Sequence, residues 1–156
     1  MRLTSFTDYS LRVLMYLAVR TDKNVTISEI ATAFRISENH LMKVVHFLGK
    51  AELLTSKRGK NGGLALSRPA SEIRLGQVVR TTEAKTIPIE CFDRHTNKCV
   101  ITPVCQLKGA LLAAVRAFNE TLDRYTLADV TGNQQALAKI LFFETKPRRA
   151  GRARAA

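Results

Sequence analysis

Residues 26–50 read TISEIATAFRISENHLMKVVHFLGK, and this stretch decides the fold. Thr26 followed three positions later by Glu29 is a capping-box pattern, in which hydroxyl and carboxylate satisfy backbone N–H groups at a helix start. The helix it opens runs to about Phe34, with Ile30, Ala31 and Phe34 turned inward. After a short turn, Ser37 caps a second helix. Its Leu41, Val44, Val45 and Leu48 recur at i, i+3, i+4 and i+7, which makes one buried face. Glu38, Asn39, His40, Lys43 and His46 are left off that face. Two short helices joined by a tight turn, the second polar at its start, are the layout of a helix-turn-helix. A plain helical hairpin would leave the same pattern.

The following residues, 53–69, read LLTSKRGKNGGLALSRP. Leu53–Ser56 and Leu64–Ser67 are short apolar strands, and the Asn-Gly between them is a strong hairpin signal because both positions accept positive φ. Lys57, Arg58 and Lys60 crowd the tip beside Asn61, with Arg68 at the far end. A basic hairpin directly after a recognition helix is a wing, suited to phosphates or the minor groove. The run lacks the lysine and helix order of a nucleotide-binding loop. Upstream, Thr4–Val19 reads as a helix with Leu11, Leu14, Met15 and Ala18 inward; Thr4, Ser5 and Thr7 offer cap oxygens, and Asp8 lies in or near its first turn. Downstream, Ser71–Ala84 reads as another, with Leu75, Val78 and Val79 on one face. The fold class is mainly α with a small β-hairpin wing: a winged helix-turn-helix, followed by one long helix.

Composition agrees with a nucleic-acid partner. The chain has 156 residues, 46% of them hydrophobic, and carries 25 Lys+Arg against 13 Asp+Glu for a formal charge of +12. Five of those positive charges lie in the tail KPRRAGRARAA at 146–156, which reads as disordered, and seven of the excess remain on the body. No apolar run approaches the ~18–20 residues of a membrane span, and no signal peptide is read, so a reducing cytoplasm is expected.

Three cysteines fall between residues 91 and 105 in the spacing C-x7-C-x5-C: Cys91, Cys99 and Cys105. Three thiols cannot all pair as disulfides, and thiolates gathered on one irregular segment suit a soft metal or an iron–sulfur cluster. The alternative is three unrelated small buried residues. The segment 85–105 itself reads as a long ordered loop that ligation would organise. From Gln106 a long helix begins, with Leu107, Leu111, Val115, Phe118, Leu122 and Tyr125 stepping by three and four, close to a 3.5-residue period. Either it lies on the winged domain as a core helix or it forms the seam of a homodimer, which would also supply half-site spacing. Thr126–Ala138 reads as a last short helix, interrupted near Gly132.

Helix-turn-helix, RGKNGGLALSRP wing, LGQVVR helix, three-cysteine loop and long helix follow in one order. With the opening RLTSFTDYSLRVLMYLA, this order resembles the bacterial winged-helix iron–sulfur regulators over residues 1 to about 140. The resemblance implies a DNA-binding domain at 1–84, a cluster-binding loop at 85–105, a dimerisation helix and C-terminal helix at 106–140, and a basic tail at 141–156. It implies that Cys91, Cys99 and Cys105 hold one iron–sulfur cluster per subunit, 4Fe–4S in preference to 2Fe–2S. The cluster-homeostasis branch takes a histidine three residues after the last cysteine, where this chain has Lys108. The nitric-oxide-sensing branch takes a first-helix aspartate from the partner subunit, and the matching residue is Asp8. By its own position Asp8 is a helix-start acid; the resemblance turns it into a fourth ligand. The implied function is a repressor that binds double-stranded DNA as a homodimer, through Ser37, Asn39, His40, Lys43, Arg58, Lys60, Asn61 and Arg68, with nitric oxide as effector. Regulation by cluster status or by thiol oxidation would use the same cysteines. Arg94, His95 and Lys98 either offset the cluster's charge or are solvated. An enzyme is not expected, because His40, His46 and His95 lack metal spacing and no nucleophile motif or paired-carboxylate site is present.

Overall fold

The computed structural model describes residues 3–21, 24–57, 59, 62–84, 89–93 and 95–143, with Phe143 by its backbone alone. The helix-turn-helix forms as α2, Ile27–Phe34, and α3, Glu38–Lys50. Both halves of the capping box at Thr26 and Glu29 are made, and Ser37 caps α3 by accepting from the His40 N–H at 3.4 Å. The turn between them is closed by Arg35, at φ 55° and ψ 44°, which leaves Ile36 to donate to the Ala31 carbonyl at 3.1 Å. The wing is an antiparallel pair, β1 Leu54–Lys57 and β2 Gly63–Leu66, in the register Leu54 opposite Leu66 and Lys57 opposite Gly63. Val25 adds a bridge to Leu64 through N–H to carbonyl bonds of 3.2 and 2.7 Å. That bridge explains Gly63: at φ +149°, a Cβ there would come within 2.8 Å of Asn24.

The first helix, α1 at Ser5–Val19, is more central than its apolar stripe predicts. Leu11 and Met15 are only partly covered, whereas Val13, Leu14, Tyr16, Leu17 and Ala18 are buried. The reason is that α1 is packed on several sides at once, by α2, by α3, by β2 and by three elements from later in the chain. One of these is α4, Leu75–Thr82, which starts later than the helix expected from residue 71. Residues Ala70–Glu72 form a 3-10 turn, and Ile73 is extended and fully buried. Its carbonyl accepts from Leu127 at 2.8 Å, and Leu75 donates to the Tyr125 carbonyl at 3.0 Å. Pairing with a distant segment thus interrupts the helical pattern.

The long helix, α5 at Gln106–Asp123, lies against α4, and none of its residues is buried. Beyond it come α6, Leu127–Val130, opened by a second capping box between Thr126 and Asp129, and α7, Gln134–Ala138, with a wide turn at Lys139–Phe143. Leu127 is fully buried in the same core as Leu14, Ile30 and Leu48. Phe142 returns to α1, 5.2 Å from the Tyr16 ring and under the Arg20 guanidinium.

Candidate functional site: a reading head joined to a cysteine loop

On α3 the apolar positions Leu41, Val44, Val45 and Leu48 are all buried, so the opposite face is free. Asn39, Lys43, His46 and Lys50 are exposed and step by four, three and four, which aligns them in one row on that face. His46 and Lys50 continue the row that Asn39 and Lys43 begin. The period of the row, already present in the sequence, is the signal that reveals them. His40 stands off it, toward α1, with its ring stacked on Tyr9 at 6.3 Å and 26°. Lower on the same flank, Phe6 meets Phe47 edge to face at 5.2 Å. Arg68 follows β2 and borders a different cleft, of about 550 Å³, with Leu17, Asn24 and Ala65; one of its terminal nitrogens donates to Gln77 at 3.3 Å. Arg58, Lys60 and Asn61 of the wing tip lie outside the described residues, as do 85–88, Arg94 and the basic tail.

The three thiols are free. Cys91 sits in a 3-10 turn at Glu90–Phe92, Cys99 is exposed, and Cys105 is the N-cap of α5, just after a second turn at Thr102–Val104. Hydrogen bonds internal to the loop hold its shape. Lys98 N–H reaches back to the Glu90 carboxylate at 2.7 Å, Cys99 N–H to the Asn97 side chain at 2.9 Å, and the Thr102 hydroxyl to the Cys99 carbonyl at 2.8 Å. Asp93 accepts from the His95 N–H at 2.9 Å and the Thr96 hydroxyl at 2.8 Å, and these bonds hold its carboxyl below the usual aspartate range. Among the described residues of this single chain, no three His, Cys, Asp or Glu side chains converge to hold a metal ion. Asp8 is partly exposed in the first turn of α1 and takes a two-pronged contact from Arg12, at 3.0 and 2.8 Å.

One joint ties the loop to the reading head. Glu83 caps the C-terminus of α4, two residues before the loop begins. One of its carboxylate oxygens accepts from the Thr4 N–H and hydroxyl, each at 2.8 Å, and from the hydroxyl of fully buried Thr7. Thr4 is the N-cap of α1, and Thr7 immediately precedes Asp8. Nothing in the sequence around Glu83 marks this role, because its partners lie 76 and 79 positions away, beyond any local pattern.

Winged helix-turn-helix, long exposed helix and intervening cysteine loop define the class: a winged-helix DNA-binding regulator. A family profile described as Rrf2, iron-dependent transcriptional regulator, matches residues 3–133, and the chain belongs to that family. It is a transcriptional regulator and not an enzyme. The HTH-type transcriptional regulator NsrR of Shouchella clausii is 44% identical over 146 residues, which are 93% of this chain and 98% of that one. NsrR of Bacillus subtilis is 45% identical over 142 residues, 90% and 97% of the two chains. Among solved structures, CymR, the global cysteine regulator of B. subtilis, superposes with a TM-score of 0.70 at 26% identity, covering 85% of this chain and 98% of that one. IscR of T. potens does so with 0.70 at 25% identity, covering 88% and 90%. Among the described residues no helix is long and apolar enough to cross a membrane.

Proposed function

We propose that this chain is a cytoplasmic transcriptional repressor that holds operator DNA as a homodimer and releases it in response to nitric oxide, sensed through an iron–sulfur cluster. The observation that carries the reading is the Glu83 joint, which fastens the start of α1 to the end of α4, where the cysteine loop departs. Phe6 and Tyr9, on either side of Thr7, press on the recognition helix at Phe47 and His40. A change in the loop therefore has a packed route, through α1, to the groove-reading face.

The donor set suits a cluster. Three free thiols are soft ligands for iron, none is sealed in the core, and Cys105 stands at a helix N-terminus, whose partial positive charge favours a net negative group. Cys91, Cys99 and Cys105 would hold it, 4Fe–4S rather than 2Fe–2S, with the partner's Asp8 as the fourth and harder ligand. When bound, the cluster supplies the iron that reacts with nitric oxide. The similarity to NsrR proteins supports this choice of effector. The chain's own residues do the rest. Asn39 and Lys43 meet base edges from a helix capped by Ser37, and His40, stacked on Tyr9, is a contact to α1 and not to a base; Arg58, Lys60 and Asn61, with Arg68, meet phosphates or the minor groove. The homodimer forms along α5, where Leu107 is 64% exposed and Tyr125 48%, and where neighbouring Val100, Ile101 and Val104 are also uncovered.

Protein purified without oxygen tests the reading. Expected are visible absorption, iron and sulfide near four per subunit for the 4Fe–4S form, and loss of operator binding on adding nitric oxide. A colourless protein whose DNA binding answers to peroxide through a disulfide would replace it with thiol-based regulation.

A further inference from the structure

The core takes in five of the six large apolar residues of α3, Phe47 only in part, and leaves one out. Leu41, Val44, Val45 and Leu48 are buried, but Met42 is 50% exposed. It sits three residues after Asn39 and one before Lys43, at the edge of the polar row that faces away from the core. There it borders a cleft of about 600 Å³ between α3 and β1, lined also by Ile27, His46, Lys50, Thr55 and Ser56. No carboxylate lines this cleft, so its polar rim suits a phosphate backbone. A thioether has nothing to offer a phosphate. On a recognition helix, its favourable contact is the apolar group that one base carries into the major groove, the C5-methyl of thymine.

We propose that Met42 is a specificity residue that reads a thymine methyl in each half-site. The inference rests on the DNA-binding reading above and deepens it. Met42 lies in the N-terminal half of α3, the part of a recognition helix that meets base edges. Its unbranched, polarisable side chain can settle over a methyl group without demanding one exact geometry.

The experiment begins by selecting duplexes that bind the full chain from a randomised pool. Each thymine of the selected site is then replaced singly by deoxyuridine, which keeps the pairing and removes only the methyl. At one thymine per half-site, deoxyuridine should weaken binding about fourfold, the worth of one buried methyl group. Met42→Ala should weaken binding to the thymine duplex by a similar factor and bind both duplexes alike, while Met42→Leu should retain most of the preference. Because Met42 lies outside the core, both variants should keep the wild-type melting curve. If no thymine discriminates, or if Met42→Ala discriminates as wild type does, the assignment is overturned while DNA binding stands. If no duplex is selected at all, the DNA-binding reading falls and takes this inference with it.

Discussion

Helices α3 and α5 carry the same kind of sequence signal and meet different fates. Each has an apolar stripe at three- and four-residue steps. In α3 all four stripe residues are buried. In α5 Leu111, Val115, Phe118 and Leu122 are only partly covered and Leu107 near its start is exposed; Tyr125, which the sequence counted in the same stripe, lies two residues past the helix end and is exposed. Periodicity announces that a face will be buried; it does not say by what. The stripe of α3 closes against its own chain, against α1, α2 and β1. The stripe of α5 has α4 on one side and is left incomplete, which is what the proposed homodimer seam requires.

The largest effect should come from the closed helix. Leu48→Ala or Leu41→Ala, at fully buried positions, should cost about 2–5 kcal/mol in denaturant unfolding, independent of protein concentration. A cost below 1 kcal/mol would mean that α3 is not the centre of the core. For the open helix the loss should appear in assembly. Leu107→Asp should weaken self-association at least tenfold, roughly 1.4 kcal/mol, in sedimentation, while the monomer's unfolding changes by less than about 0.5 kcal/mol. Monomeric wild-type protein that retains operator binding would remove the seam altogether.

The joint between the two regions gives the next effect. A Cβ at Gly76 would lie 2.1 Å from a carboxylate oxygen of Asp123, whose other oxygen pairs with Arg80 at 2.7 Å. Gly76→Ala should therefore push the Asp123 carboxylate aside, disturb its pair with Arg80 and cost below about 1 kcal/mol by thermal unfolding. The same pair sets a pH dependence. The hydrogen bond from Arg80 holds the Asp123 carboxyl below the usual aspartate range, so its contribution is present above the ordinary aspartate pKa and fades as pH falls through the depressed value. Asp123→Asn should flatten stability in that acid window and leave it unchanged in shape near neutrality. Thr7→Val, which removes the buried hydroxyl that contacts both Glu83 and Thr82, should cost about 1–3 kcal/mol.

The smallest effect on stability and the sharpest on function should come from Asp8. Its pair with Arg12 is half exposed and spaced i, i+4, so Asp8→Ala should change unfolding by only about 0.3–0.5 kcal/mol. If Asp8 is the fourth ligand, the variant's absorption and its rate of reaction with nitric oxide should nonetheless shift. In a heterodimer with a subunit lacking all three cysteines, one wild-type spectrum should return if the carboxylate acts across the interface. Wild-type spectrum and kinetics in the Asp8→Ala homodimer would reduce it to a helix-start acid.

By itself the sequence determined the local elements, because their causes are local. Capping at Thr26 and Ser37, the α3 stripe, the Asn-Gly hairpin and the long α5 period each depend on residues within a few positions of one another. The cysteine trio was equally legible, since three thiols within fifteen positions need no fold to be noticed. Tertiary structure alone decided the rest. It drew Ile73 out of a helix by pairing it with Leu127, brought Leu127 from beyond α5 into the shared core, and turned His40 toward Tyr9 and out of the row that His46 and Lys50 complete. It also fastened Glu83 to Thr4 and Thr7 and set Asp123 on Gly76. These contacts join residues 47 to 79 positions apart, and Tyr9 meets His40 across 31; only the closing of the chain on itself selects which distant groups share a hydrogen bond or a ring face.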